Sequence, residues 1–347
     1  MRGANGVKKA REGVAVLKTN TRRDFMKATA ALGASAILPA SILAQGRPAT
    51  GRIDVHHHMM PPFAPGNNRP WTPELSLEAM DKNNVATAIL SGVTFPEQVN
   101  DGTEKSRTLA RQVNEYAAKT AQAHPGRFGF FASLPLIDTE GSLREITYAF
   151  DTLKADGIAI NSSAGKKWPG DPSQMPVWEE LGRRKATVFI HPNTTPFCCT
   201  TLPPGVGASM SEFDNDVNRA VLSLLMNGVM TKFPDINFII SHSGGTTAAL
   251  AGHIQDRVPK DRADLYPYGA LDKMRRLYFE IGHASFPWVI AGLMKFAPTT
   301  QLLFGTDYPV EPYESTTRNI PDLGLSTDVL YAMDRGNAER LFPKFRG

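Results

Sequence analysis

Eight short runs of β-branched and apolar residues, separated by longer segments of helical period, predict a single α/β domain, a (β/α)8 TIM barrel. Two further observations support this fold class. Beyond the first few dozen residues no low-complexity linker or change of composition divides the chain. The connections richest in Pro, Gly and Asn, around 61–73, 162–176 and 194–210, each follow a predicted strand. In a barrel those connections form the C-terminal rim, where active sites are built.

The first element is not part of the barrel. Residues 1–44 carry eight basic and two acidic residues, a net of +6, although the whole chain is only at +4. The remainder, with 30 basic and 32 acidic residues, is at −2. The basic balance is therefore local, and without a basic stripe on the domain a nucleic-acid partner is not expected. Thr21-Arg22-Arg23-Asp24-Phe25-Met26-Lys27 precedes an alanine-rich apolar run, Ala28 to Leu43, and a small-residue cleavage site at Ile42-Leu43-Ala44. This segment resembles a bacterial twin-arginine export signal. The run is shorter than the roughly 20 apolar residues a bilayer span needs and is interrupted by Gly33, Ser35 and Pro39, so stable membrane anchoring is not expected. The reading assigns 1–44 to the signal and 45–347 to one barrel domain, with the twin-arginine machinery as export partner and the periplasm as destination. Cys198 and Cys199 are the only cysteines. A bridge between adjacent residues closes a strained ring, and two free, largely buried thiols are expected.

Strands are predicted at Ile53–His57, Ala86–Leu90, Phe128–Leu134, Gly157–Asn161, Thr187–His191, Asn237–His242, Leu277–Ile281 and Gln301–Phe304. Helices are predicted between them, for example at Thr103–His124 and Glu140–Ala155. The latter is apolar on one face at Leu143, Ile146, Ala149, Phe150 and Leu153.

Polar residues gather at the ends of four strands. The first ends Asp54-Val55-His56-His57-His58, and strand alternation sends His56 and His58 to one face and His57 to the other. The fifth ends in His191 before a proline, the sixth in His242 before Ser243-Gly244-Gly245, and the eighth leads to Asp307. Taken singly, each has an ordinary explanation as a rim histidine, a cap or a turn. Together they face one cavity, and imidazoles with a carboxylate suit a divalent metal, Zn²⁺ first, with Mn²⁺, Fe²⁺ or Co²⁺ also accommodated.

The set Ile53-Asp54-Val55-His56-His57-His58, Ile190-His191-Pro192, His242-Ser243-Gly244-Gly245 and Phe304-Gly305-Thr306-Asp307-Tyr308-Pro309 resembles the amidohydrolase superfamily, in particular its decarboxylase branch. The resemblance implies that His56, His58, His191 and Asp307 bind one metal and that His242 is an unmetallated acid/base residue acting with Asp307. It implies a small carboxylic acid substrate, salicylate-like or unsaturated, non-oxidative decarboxylation, and a homodimer. The fourth strand, Gly157 to Asn161, ends without the lysine that bridges two metals in binuclear relatives, because Lys166 and Lys167 lie beyond it. A mononuclear centre follows. Relatives often carry Gly-Arg-Ile after the sixth strand, where this chain has Gly252-His253-Ile254, with Arg257 one turn later. Phe63, Trp71, Phe197 and Trp288 are candidate walls for a planar substrate, and Glu280 and His283 candidate supporting residues. The alternatives are a mononuclear metallohydrolase of a lactone, ester or amide, and a binding protein built on a vestigial site.

Overall fold

The computed structural model describes residues 51–64, 70–92, 101–193, 195, 197–198 and 201–346. The expected signal, 1–44, lies outside the described residues. Eight parallel strands form one sheet in sequential order: β1 (Arg52–His58), β2 (Val85–Ser91), β3 (Phe128–Ser133), β4 (Gly157–Asn161), β5 (Thr187–His191), β6 (Asn237–Ile240), β7 (Tyr278–Glu280) and β8 (Leu302–Leu303). The first and last strands meet across the seam. Val55 N–H donates to the Phe304 carbonyl at 3.0 Å, Asp307 N–H to His56 at 2.8 Å and His58 N–H to Tyr308 at 2.7 Å.

The principal helices run between the strands: α1 (Pro73–Lys82), α2 (Glu104–Ala123), α3 (Thr139–Thr147), α4 (Met175–Arg183), α5 (Glu212–Met226), α6 (Thr247–Arg257) and α7 (Pro287–Phe296). Polar side chains cap the first three, accepting N–H bonds that the first turn would leave unmet: Thr72 from Leu75, Thr103 from Ser106 and Asp138 from Gly141. α2 buries Leu109, Ala110, Val113, Ala117 and Ala118, a stripe of helical spacing, against the sheet.

Two apolar layers result. The barrel interior is filled by Ile53, Val55, Ile89, Phe131, Phe189, Ile239 and Leu303, with Phe342 and Phe345 of the C-terminal segment packed against them. Phe131 and Phe189 stack with ring centroids 5.7 Å apart. A second, larger layer lies between strands and helices. The barrel interior is thus an apolar core, with the polar residues of the candidate site at the strand ends above it.

The structure revises several boundaries. The helix expected over Glu140–Ala155 is α3 followed by a π-turn at Tyr148–Thr152. β8 is two residues long rather than four, and β6 ends at Ile240, so His242 opens a short 3-10 turn instead of closing a strand. Cys198 is disulfide-bonded and only half-buried. The expectation of two free, buried thiols is therefore corrected at Cys198, and Cys199 lies outside the described residues.

Candidate metal centre

β1 supplies two of the four converging side chains. Its pairing with β2 shifts register between Asp54 and His57, an irregularity that re-aims side chains at the strand end. The His56 and His58 rings turn towards each other, centroids 4.9 Å apart, and both face His191, whereas His57 points the other way, against Tyr308 and Tyr313. Strand closure then brings in Asp307. Its Oδ1 lies 2.7 Å from His58 Nε2, 3.1 Å from His56 Nε2 and 3.8 Å from His191 Nε2. Donor atoms of His56, His58, His191 and Asp307 all lie within 4.8 Å of one another.

The outer nitrogen of each histidine is already engaged. His56 Nδ1 is 2.9 Å from Glu280 Oε1, His58 Nδ1 is 3.2 Å from Ser91 Oγ, and His191 Nδ1 donates to the Pro192 carbonyl at 2.7 Å. All three Nε2 atoms are thereby left for the centre, the arrangement in which outer partners orient metal-binding imidazoles. The buried His191 Nε2 has no hydrogen-bond partner. The 3.1 Å between His56 Nε2 and His58 Nε2 approaches the edge of about 3.3 Å expected between ligands of a tetrahedral Zn²⁺. The residues fit one divalent ion.

Charge follows the same arrangement. Burial opposes ionisation of His56, but the Glu280 and Asp307 carboxylates outweigh it and raise its pKa to about 10. Burial lowers His58 despite the Asp307 hydrogen bond, and lowers His191 to about 3, keeping both imidazoles neutral and their lone pairs available. Burial alone would raise the Asp307 carboxyl, yet the nearby His56, with His191 close by and a hydrogen bond from His58, holds it well below the usual range.

Glu280 is the residue that sequence reasoning weighted least and the structure makes central. It is fully buried and accepts the His242 N–H and the Gly282 N–H, both at 2.6 Å, besides facing His56. Burial would raise its pKa, but His56 and these bonds lower it, so it stays a carboxylate. Gly305 makes room for it: a Cβ there would fall 2.1 Å from Glu280 Oε2.

His242 stands beside this centre, its ring centroid 5.1 Å from that of His56. Its Nδ1 donates to the Gly282 carbonyl at 2.9 Å, which fixes the tautomer with Nε2 as the free nitrogen. Among the described residues no hydrogen bond joins His242 to Asp307, so the expected direct pair is replaced by separate anchors, Gly282 for one and the three histidines for the other. His242, Ser243, His283 and Asp307 all have positive φ, 52°, 56°, 53° and 67°, and they cluster at the ends of β6, β7 and β8. Strained non-glycine backbone of this kind concentrates at functional sites. Of the proposed aromatic walls, Trp71 is buried against Tyr116, Phe197 packs on Trp168, and Phe63 and Trp288 are largely open to solvent. His253 and Arg257 are exposed on α6.

The match to known proteins follows this geometry. Residues 53–344, which include every residue of the centre, match the amidohydrolase family. The chain belongs to the amidohydrolase family. Residues 19–39 of this amidohydrolase match the signal sequence of the twin-arginine translocation pathway. It is 33% identical over 327 residues to the decarboxylase macB of Penicillium terrestre, covering 85% of this chain and 96% of that protein. It is 33% identical over 316 residues to 6-methylsalicylic acid decarboxylase of Penicillium expansum, covering 85% and 97%. In fold the amidohydrolase resembles the crystal structure of a dihydroxybenzoic acid decarboxylase from Polaromonas with bound manganese and the inhibitor 2-nitroresorcinol. That match has a TM-score of 0.73 at 21% identity and covers 86% and 98% of the two chains.

Proposed function

We propose that this amidohydrolase is a metal-dependent, non-oxidative decarboxylase, a carboxy-lyase, of a salicylate-like aromatic or unsaturated carboxylic acid. The observation that carries the reading is a complete His56, His58, His191 and Asp307 donor set with a tautomer-fixed His242 beside it, in a chain whose curated relatives are decarboxylases. A divalent ion held by those four residues supplies Lewis-acid neutralisation of the substrate carboxylate.

The chain's own residues do the rest. Glu280 holds His56 in place and, through the His242 backbone, sets where the acid/base imidazole stands. His242 keeps its Nδ1–H on Gly282, takes up a proton from solvent at the free Nε2, and gives that proton to the ring carbon bearing the carboxylate. The carbon–carbon bond then breaks, carbon dioxide leaves, and the electron pair of that bond restores the aromatic ring. Asp307 stays ionised and keeps the three imidazoles converged. Three imidazoles and one carboxylate are zinc chemistry, and manganese accepts the same donors; metal analysis of the purified protein, expected at about one ion per chain, decides between them. A mononuclear metallohydrolase acting on a lactone, ester or amide is the less favoured reading, since the similar curated proteins break a carbon–carbon bond. The export signal supports delivery of the folded 45–347 domain to the periplasm, and the family resemblance supports a homodimer, which sedimentation measures.

The test is to incubate the metal-loaded protein with hydroxybenzoates and lactones and measure released carbon dioxide. Consumption of lactones without carbon dioxide would overturn the decarboxylase reading.

A further inference from the structure

His57, the middle residue of the triple-histidine run, takes no part in the donor set, yet it is fully buried. It belongs to a second polar layer beside the metal centre. His57 Nδ1 lies 3.2 Å from Asp54 Oδ2 and 3.2 Å from the Tyr313 hydroxyl, and its Nε2 is 3.0 Å from Ser76 Oγ on α1. Asp54, also fully buried, is the hub of this layer. Its Oδ1 accepts the His56 N–H at 3.0 Å, within the stretch where β1 loses register with β2. Its Oδ2 accepts the hydroxyl of the buried Thr306 at 2.6 Å. Thr306 Oγ1 in turn accepts the Tyr308 N–H at 3.3 Å, so that one hydroxyl spans Asp307, whose backbone is left-handed at φ 67°. Such a conformation persists in a non-glycine residue only where its surroundings hold it.

We propose that Asp54 and Thr306 are positioning residues of the metal centre: a single carboxylate ties the strand that carries His56 to the turn that carries Asp307, and so sets the spacing of these two ligands. The assignment rests on the metal-binding part of the proposed function and deepens it, since neither Asp54 nor Thr306 belongs to the donor set. The backbone bond from Asp307 N–H to the His56 carbonyl, at 2.8 Å, joins the same two segments. Asp54 adds a side-chain clamp that reaches both at once. Both of its bonds end on a buried carboxylate, where hydrogen bonds are strong and an unmet acceptor is costly. His57, itself held by Tyr313 and Ser76, buttresses the carboxylate. Groups outside a donor set that orient its members govern metal affinity without touching the ion.

The experiment compares the wild type with Thr306→Val, which keeps the shape and deletes the hydroxyl, and with Thr306→Ser, which keeps the hydroxyl. Zn²⁺ affinity is measured by competition with a chromophoric chelator, the geometry of the ligands by the visible absorption of the Co²⁺-loaded proteins, and folding by circular dichroism. Thr306→Val is expected to bind Zn²⁺ about 10- to 100-fold more weakly and to shift the Co²⁺ bands, and Thr306→Ser to restore both affinity and spectrum. Wild-type affinity or unmoved Co²⁺ bands in Thr306→Val, as a merely structural hydroxyl would give, overturns the proposal, and so does failure of Thr306→Ser to restore them. Should Thr306→Val not fold, Asp54→Asn, which retains one acceptor oxygen, is read in the same way: weakened affinity with shifted bands supports the clamp, and wild-type values overturn it. None of these readouts depends on turnover, so failure of the decarboxylase reading leaves the test intact, whereas a wild type that takes up no ion overturns the metal centre and the clamp together.

Discussion

His242 and Glu280 divide the work at the centre in a way that single substitutions separate. Among the described residues no hydrogen bond joins a His242 ring nitrogen to His56, His58, His191 or Asp307, its Nδ1 being committed to Gly282. His242→Ala is therefore expected to lower kcat by about 10²- to 10⁴-fold with metal content unchanged; loss of the metal together with activity would instead make His242 a ligand. Glu280 grips His56 Nδ1 and the His242 and Gly282 amides. Glu280→Gln is expected to weaken metal affinity by about 10- to 100-fold, read by competition with a chromophoric chelator. The two residues also mark the limit of what sequence makes legible. His56, His58, His191, His242 and Asp307 are visible because each breaks an apolar run at a strand end. Glu280 breaks such a run too, but its importance comes from His56, 224 positions away, and no local pattern encodes that contact.

At the scale of elements, alternation and helical period located all eight strands, including the identical spans of β4 and β5. Errors fell where tertiary contacts override local pattern. β8 ends at Leu303, ahead of Gly305, whose missing Cβ makes room for Glu280, and β6 stops short of His242 and Ser243, which take left-handed backbone. The π-turn after α3 has no counterpart in an apolar stripe that continues smoothly through Phe150 and Leu153. Two helix predictions follow. Asp138 caps α3 by accepting the Gly141 N–H and also pairs with Arg107, so Asp138→Ala should cost about 1 kcal/mol in urea unfolding. On α4, Glu180 accepts from Arg183 and Arg184, and its carboxyl falls from the usual 4.5 to about 2. A depressed carboxylate contributes stability that is present above pH 4.5 and lost as pH falls towards 2. The Tm of Glu180→Gln should consequently change less than wild type over that acid range.

For the whole molecule, the barrel seam and the metal centre are one construction. The backbone bonds that join β1 to the segment after β8 are also those that set Asp307 against His56 and His58. An ion bound across the seam stabilises the folded state by mass action, about 2.7 kcal/mol when free metal exceeds its Kd a hundredfold. Chelation should lower the Tm and readdition of Zn²⁺ or Mn²⁺ should restore it; a Tm indifferent to both would remove the seam from the metal's role. The donors of this centre are also spread along nearly the full length of the chain, from His56 to Asp307. A nascent polypeptide thus exposes its three imidazoles long before its carboxylate is synthesised, and the centre cannot come into being until Asp307 has been translated. A metal ion that needs all four donors can in consequence be bound only after synthesis of most of the barrel, so its uptake is a late step of folding.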